Sequence, residues 1–421
     1  MITQNNRTAT AAVAGLLAVG ALAACSNGGS AASPGGTAAG DGAAGGTYTW
    51  WDPYPQYDAS SDWAKVIDKC GQAAGVTMKR TAYDTSDLTG KALLAGQQGS
   101  SPDLLLVDNP VVSTLAEAGV LTTTKDSGLS VDGFAANILA AGQSGGETFG
   151  VPIGANTLAL YYNPKVLTKA GIDAASVKDW ASLTAALEKA KAAGFKGITF
   201  SAVGTEEGTF QFLPWFWGSG GQLTDIGSPN AVAALDLWAG WVKQGLAPNS
   251  VINNTQTTSW QEFQAGKIAF AENGTWQKAD AKKNGFEVMP LPGKDGGTAP
   301  APTGGEFLSL PVQKDTARYA VSAKIAACMT DTANIVGTDN TLNYVAPTEA
   351  AQKEQLGADG SLKPWVDAVG AAKGRTSDDL GTKYPKISEQ LWTAVQSALT
   401  GKSSAQEALQ QAQTAAKEAT Q

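Results

Sequence analysis

An α/β fold with parallel strands is what this sequence predicts, and three observations carry the prediction. From Tyr48 onward, short β-branched or apolar runs alternate with longer amphipathic segments. The chain has 421 residues, the length of two or three domains and ample to bury a core. Its composition is 43% hydrophobic and 16% charged, against roughly a quarter charged in an average globular chain, which argues for a folded protein.

Taken in order, the first strand falls at 47–51. A helix follows in SSDWAKVIDKCGQAAG, where serines offer caps, Trp63, Val66, Ile67 and Cys70 recur at helical spacing, and Gly75 stops the run. Strands come next at 76–81 and 103–107. DNPVVSTLAEAG opens a helix with Asn109 as cap and Pro110 in the first turn, where a missing N–H costs nothing. The strand at 158–162 is ended by Asn163-Pro164, and KDWASLTAALEKAKAAG forms a helix from Lys178 to Gly194. Further strands are predicted at 197–200, 267–271, 286–289 and 306–310, and the pattern from about Pro347 to Gln421 is almost wholly helical. No fixed-period repeat is present.

Charge and residue inventory narrow the function. Lys plus Arg total 30 and Asp plus Glu 38, a net charge of −8, so the broad basic surface that binds nucleic acid is missing and no nucleic-acid partner is expected. With zero histidines, Ser-His-Asp and Cys-His nucleophiles, His-ligated zinc and an imidazole base are excluded. No cofactor or metal is expected. The run TGKSS at 400–404 imitates the end of a phosphate loop, but Gln396 stands where the first glycine is needed.

The N-terminal run TATAAVAGLLAVGALAAC is apolar but too short to span a bilayer core of about 30 Å, so residues 1–24 read as a signal peptide. Its end, Leu22-Ala23-Ala24-Cys25, resembles the bacterial lipobox, which implies a diacylglycerol thioether on Cys25 and attachment to the membrane through that lipid. Residues 25–46 then form a lipidated cysteine and a linker of Gly, Ala and Ser, side chains too small to bury enough apolar surface to fold. Cys70 and Cys328 remain. In an oxidising compartment an even pair invites a disulfide, with two buried thiols as the alternative.

A resemblance becomes visible in GGETFGVPIGANTLALYYNPKVLTKAGI, residues 145–172. It is similar to the signature of extracellular solute-binding proteins of carbohydrate ABC transporters, the maltose-binding-like family. The match continues in order through KDWASLTAALEKAKAAG, WQEFQAGKIAFAENGTW at 260–276, APTGGEFLSLP at 301–311 and VAPTEAA at 345–351. This resemblance implies a two-lobed, periplasmic-binding-protein-like fold, each lobe a mainly parallel sheet flanked by helices, with several interlobe crossings. On that basis lobe I takes 47–155 plus 305–345 and lobe II takes 156–304 plus 346–421, which puts both Cys70 and Cys328 in lobe I. It further implies a monomer on the extracellular side that captures a sugar or oligosaccharide by hinge closure and passes it to permease subunits.

Ligands of open α/β sheets bind beyond the carboxyl ends of the strands. YTWWDPY and PDLLLVDNP bring Trp50, Trp51, Asp52 and Asp108 to that edge, and the second lobe adds Trp215, Trp217 and Trp276. Asn156, Gly304, Gly305, Glu306 and Tyr344 stand at the implied crossings, the two glycines letting backbone approach closely. A sugar shows C–H groups on its ring faces and hydroxyls at its edge, so flat rings cover the faces while carboxylates and amides pair with the hydroxyls. Covering about 100 Å² of ring face contributes on the order of 2.5 kcal/mol. Trp50 and Trp51 alternate across a strand, so at most one faces the cleft. Trp63, Trp238, Trp241, Trp260 and Trp392 lie within helical periodicity and read as core, as does Trp180 at its helix start. The rival is an exported glycosidase or lyase using two carboxylates from Glu206, Glu207, Glu272 and Glu306.

Overall fold

The computed structural model describes residues 45–376 and 380–421; the expected signal peptide at 1–24, Cys25 and all but the end of the linker expected at 25–46 lie outside them. The strands are β1 (Thr47–Asp52), β2 (Thr77–Ala82), β3 (Leu104–Asp108), β4 (Gln143–Ser144), β5 (Glu147–Thr148), β6 (Val151–Pro152), β7 (Leu158–Tyr162), β8 (Lys196–Thr199), β9 (Ile268–Gly274), β10 (Glu287–Met289) and β11 (Glu306–Ser309). Five form one sheet in the order β2-β1-β3-β11-β6, four form another in the order β10-β7-β9-β8, and β4 and β5 pair as a short hairpin.

The direction of each strand follows from how the chain reaches it. β1, β2 and β3 are joined through helices Asp62–Ala73 and Thr85–Gln98 and lie parallel, as crossover connections require. β11 arrives from the other lobe and runs antiparallel to both β3 and β6. In the second sheet β8 and β9 are parallel, while β7 runs antiparallel to β9 and β10. Both sheets are therefore mixed.

Each sheet has its own core. Trp50, Trp63, Ile67, Leu104, Leu106 and Leu308 pack in the first lobe; Leu160, Ile198, Phe200, Phe212, Trp238 and Leu391 pack in the second. Cys70 and Cys328 are bonded with their Cα atoms 5.5 Å apart, tying helix Asp62–Ala73 to helix Arg318–Met329 within the first lobe. Helix Glu349–Ala358 packs on Thr332–Leu342, whereas Lys383–Leu399 and Ala405–Ala419 pack on each other and on the second lobe. Among the described residues no helix is long and apolar enough to cross a membrane.

Three segments carry the chain between the sheets: 153–157 from β6 to β7, 290–305 from β10 to β11, and 343–346 beyond helix Thr332–Leu342. They are laced together. Ala155 and Val345 exchange N–H···O bonds of 2.8 and 2.9 Å, and Asn156 and Gly304 exchange bonds of 3.1 and 2.8 Å. Gly305 adopts φ +110°, and a Cβ there would stand 2.4 Å from the Gly154 carbonyl oxygen, so only glycine fits this crossing.

Candidate functional site

The carboxyl ends of β1 and β3 lie side by side on the first sheet. At the first of them, Trp50 and Trp51 point to opposite faces, as strand alternation requires. Trp50 is fully buried, its indole 5.8 Å from Trp63 and its Nε1 donating to Asp52 at 3.0 Å. Asp52 is buried too and accepts from the Trp63 indole, the Tyr54 amide and the Arg80 guanidinium, the last at 2.5 and 2.8 Å. Trp50 and Asp52 are thus corrected from ligand contacts to core groups, because every polar atom they offer is already used within the first lobe. Trp51 is half-buried and meets Tyr83 edge-on at 5.1 Å.

At the end of β3, Asp108 caps helix Asn109–Glu117 by accepting from the Asn109 amide at 2.9 Å, one residue earlier than the expected cap. That releases the Asn109 side chain, which donates to the Thr303 carbonyl on the second crossing at 2.9 Å. Across from this corner stands helix Glu206–Gly218 of the second lobe, and within it Trp215 and Trp217 splay by about 200°. Trp215 is fully buried, packs on Trp180 and Trp241, and donates to the Glu272 carboxylate at 2.7 Å. It too is corrected to a core residue, since its one polar atom points into the second lobe. Trp217 is buried, with the Lys373 ammonium 5.4 Å from its ring, and its Nε1 has no hydrogen-bond partner among the described residues. Trp276 is half-buried, folded over Gly274 with its ring 6.4 Å from Phe210. Of the twelve tryptophans only Trp51, Trp276 and Trp392 keep part of their surface, so Trp392 departs from the core role its helical spacing suggests.

Arg375 joins these pieces, and sequence reasoning missed it. Its guanidinium donates to Asp108 at 3.2 Å, to Asn109 Oδ1 at 3.0 Å and to Glu206 at 2.8 Å, and lies 4.8 Å from the centre of the Phe210 ring. Glu206 is in turn held by the Tyr384 hydroxyl at 2.5 Å and by Ser388. Burial by itself would lower the basicity of Arg375, but the Asp108 and Glu206 carboxylates outweigh it and hold the charge firmly. The partners are 267 and 169 residues away, in a stretch of small and polar residues, so no local pattern announces the contact.

The crossings collect the remaining candidates. Asn156 is buried, and its side-chain oxygen would lie 2.0 Å from a Cβ on Gly304, so the close approach expected of that glycine is made to the neighbouring crossing. Glu306 is buried and accepts from the Tyr344 hydroxyl at 3.3 Å. Burial, with the Asp108 charge adding to it, raises the Glu306 carboxyl from 4.5 to about 7. Asp339 is wholly buried and likewise raised, by burial and then by Glu306. The four carboxylates considered for catalysis sit in different surroundings. Glu206 is tied to Arg375, exposed Glu207 accepts from the Gln256 amide at 3.0 Å, Glu272 lies under Trp215, and Glu306 lies at the crossings.

This architecture has known counterparts. The sequence model of the family described as bacterial extracellular solute-binding protein matches residues 65–364. The chain belongs to that family. A protein of Brucella abortus (strain 2308) named as a binding protein is 28% identical over 158 residues; the match spans 34% of this chain and 38% of that relative. The maltodextrin-binding protein MdxE of Bacillus subtilis is 27% identical over 414 residues, 93% of this chain and 92% of MdxE. Among solved structures, the GacH receptor of Streptomyces glaucescens, described unliganded and with acarbose, superposes with a TM-score of 0.75 at 22% identity, covering 89% of this chain and 98% of the receptor. The face between the two lobes of this solute-binding protein carries Arg375, Phe210, Trp276, Asp108 and Glu206.

Proposed function

We propose that this solute-binding protein captures a sugar or oligosaccharide outside the membrane and hands it, chemically unchanged, to the permease of an ABC transporter. The observation that supports the reading is the interlobe cluster, where the half-buried Trp276 ring lies beside Phe210 and carboxylate, amide and guanidinium groups from both lobes converge. Rings for sugar faces next to charged hydrogen-bonding groups for hydroxyls are the chemistry a carbohydrate needs. The ligands in the names of MdxE and the GacH receptor agree with it. We assign the binding role to Trp51, Asp108, Trp217, Trp276, Gly304, Gly305, Glu306, Tyr344 and Asn156, with Phe210 backing the Trp276 ring. The lobes divide at 47–155 with 305–345 and 156–304 with 346–421, save that helix Glu349–Ala358 packs on Thr332–Leu342 and goes with the first lobe, and the protein works as a monomer without catalysis.

Capture proceeds by hinge closure at the three laced crossings. A ligand touched by both lobes shifts the equilibrium only through its stronger interaction with the closed form. A glycan panel read by tryptophan fluorescence and thermal shift should yield a stabilising ligand that chromatography recovers intact. Hydrolysis or elimination of that ligand would instead favour the glycosidase or lyase. Cys25 is the proposed lipid attachment point, so Cys25→Ser should move the chain from the membrane fraction to the medium. A variant that stays membrane-bound would count against the anchor.

A further inference from the structure

We infer that Arg375 is a positioning residue for capture: an ionic latch of the second lobe that holds the first lobe's Asp108–Asn109 corner against Glu206 and biases the lobes toward closure before any ligand arrives. The inference deepens the closure reading above and rests on it.

The side chain is delivered by a strap, residues 371–376, that follows helix Lys363–Gly370. The strap is anchored to the second crossing, with the Lys373 amide donating to Ala301 O at 2.9 Å and the Thr303 amide donating to Lys373 O at 2.9 Å. The guanidinium is thus held at its base by the second crossing and at its tip by Glu206, and among the described residues it reaches the first lobe through Asp108 and Asn109. Its side chain is 2% exposed, against 27% for Asp108 and 36% for Glu206, so the cation is the desolvated partner and the carboxylates are its rim. A buried cation needs its anions: separating the lobes would strip Arg375 of the Asp108 and Asn109 contacts while Glu206 stayed behind. The planar fork fits this task because separate nitrogens serve the two sides, Nη1 for Glu206 and Nη2 for Asp108 and Asn109. A second contact across the lobes, from the Thr382 hydroxyl to Glu117 at 2.7 Å, lies at the far end of the helix that Asp108 caps.

Asp108→Asn is the discriminating variant, because asparagine caps a helix as well as aspartate and removes only the charge. Small-angle scattering of the ligand-free chain should give a larger radius of gyration for Asp108→Asn and Arg375→Met than for the wild type. Arg375→Lys, which keeps the charge but not the fork, should fall between. The double variant Asp108→Asn/Arg375→Met should open no further than Arg375→Met alone, since Arg375→Met already removes the contact that Asp108→Asn weakens. Equal radii for wild type and Asp108→Asn would overturn the latch, as would additive opening in the double variant. Thermal melting of Asp108→Asn checks that the fold is intact, and if Arg375→Met fails to fold, Asp108→Asn alone decides. No ligand enters these measurements, so they fail or succeed independently of whether the cargo is a carbohydrate.

Discussion

Trp50 and Trp51 are neighbours in the chain with opposite fates, one sealed beneath Asp52 and Trp63, the other keeping surface beside Tyr83. Alternation along β1 made that split readable, but not which of the two would be buried. Asp52 is the instructive case: an aspartate after two tryptophans at a strand end looks like a ligand contact, yet Arg80 on the next strand consumes it. Asp52→Asn should therefore cost about 3 kcal/mol of stability, the low end for breaking a buried ion pair because Arg80 keeps part of its surface, with little effect on ligand affinity. Trp276→Ala should do the reverse, weakening binding while moving the melting temperature little. Swapped outcomes in paired unfolding and titration experiments would reverse the two assignments. Arg375 was invisible to sequence reasoning because its role depends on residues brought from both lobes, and Glu206 was visible only as a carboxylate with no stated neighbour.

At the scale of elements, eight strands were legible where β-branched runs meet turn residues, and the helices where caps and apolar spacing agree. Ser61, Asp179, Ser228 and Ser404 each accept from a backbone amide of the helix they open. The direction of β11 was not legible, because it depends on the side from which the chain returns. Neither was β6, only two residues long and held by pairing with β11. The crossings depend on backbone approach rather than side chains, which is why a Gly-Gly pair marks them. Gly305→Ala should destabilise the fold by about 2 to 3 kcal/mol or more, since alanine would meet the Gly154 carbonyl and a φ of +110° together. An unchanged midpoint in denaturant would show that the crossing relaxes.

Over the whole molecule, the crossings carry buried acid whose titration bears on folding. The Glu306 carboxyl is raised from 4.5 to about 7, so between those values the folded chain keeps a proton that the unfolded chain has released. Its contribution therefore favours folding at low pH, declines as pH rises through this window and levels off above about 7, by roughly 3 kcal/mol in all. Glu306→Gln removes this slope, so the stability of the wild type relative to the variant should fall across the window. A difference that is flat with pH would mean the carboxyl is hydrated in solution. The disulfide works on a different account, closing a sequence separation of 258 residues and restraining the unfolded chain within one lobe.

The sequence by itself determined most of the elements and the absence of any histidine-based chemistry, while the two-lobed plan came from a resemblance carried by an ordered set of motifs. These depend on local periodicity, on caps and on what residues are present, all of which are written in the order of the chain. Tertiary structure alone decided which tryptophans keep surface, which aspartate is spent inside a lobe, and that Arg375 joins the two halves. Those outcomes turn on burial and on charges meeting across hundreds of residues, and a buried charge takes its meaning from the partner the fold brings to it.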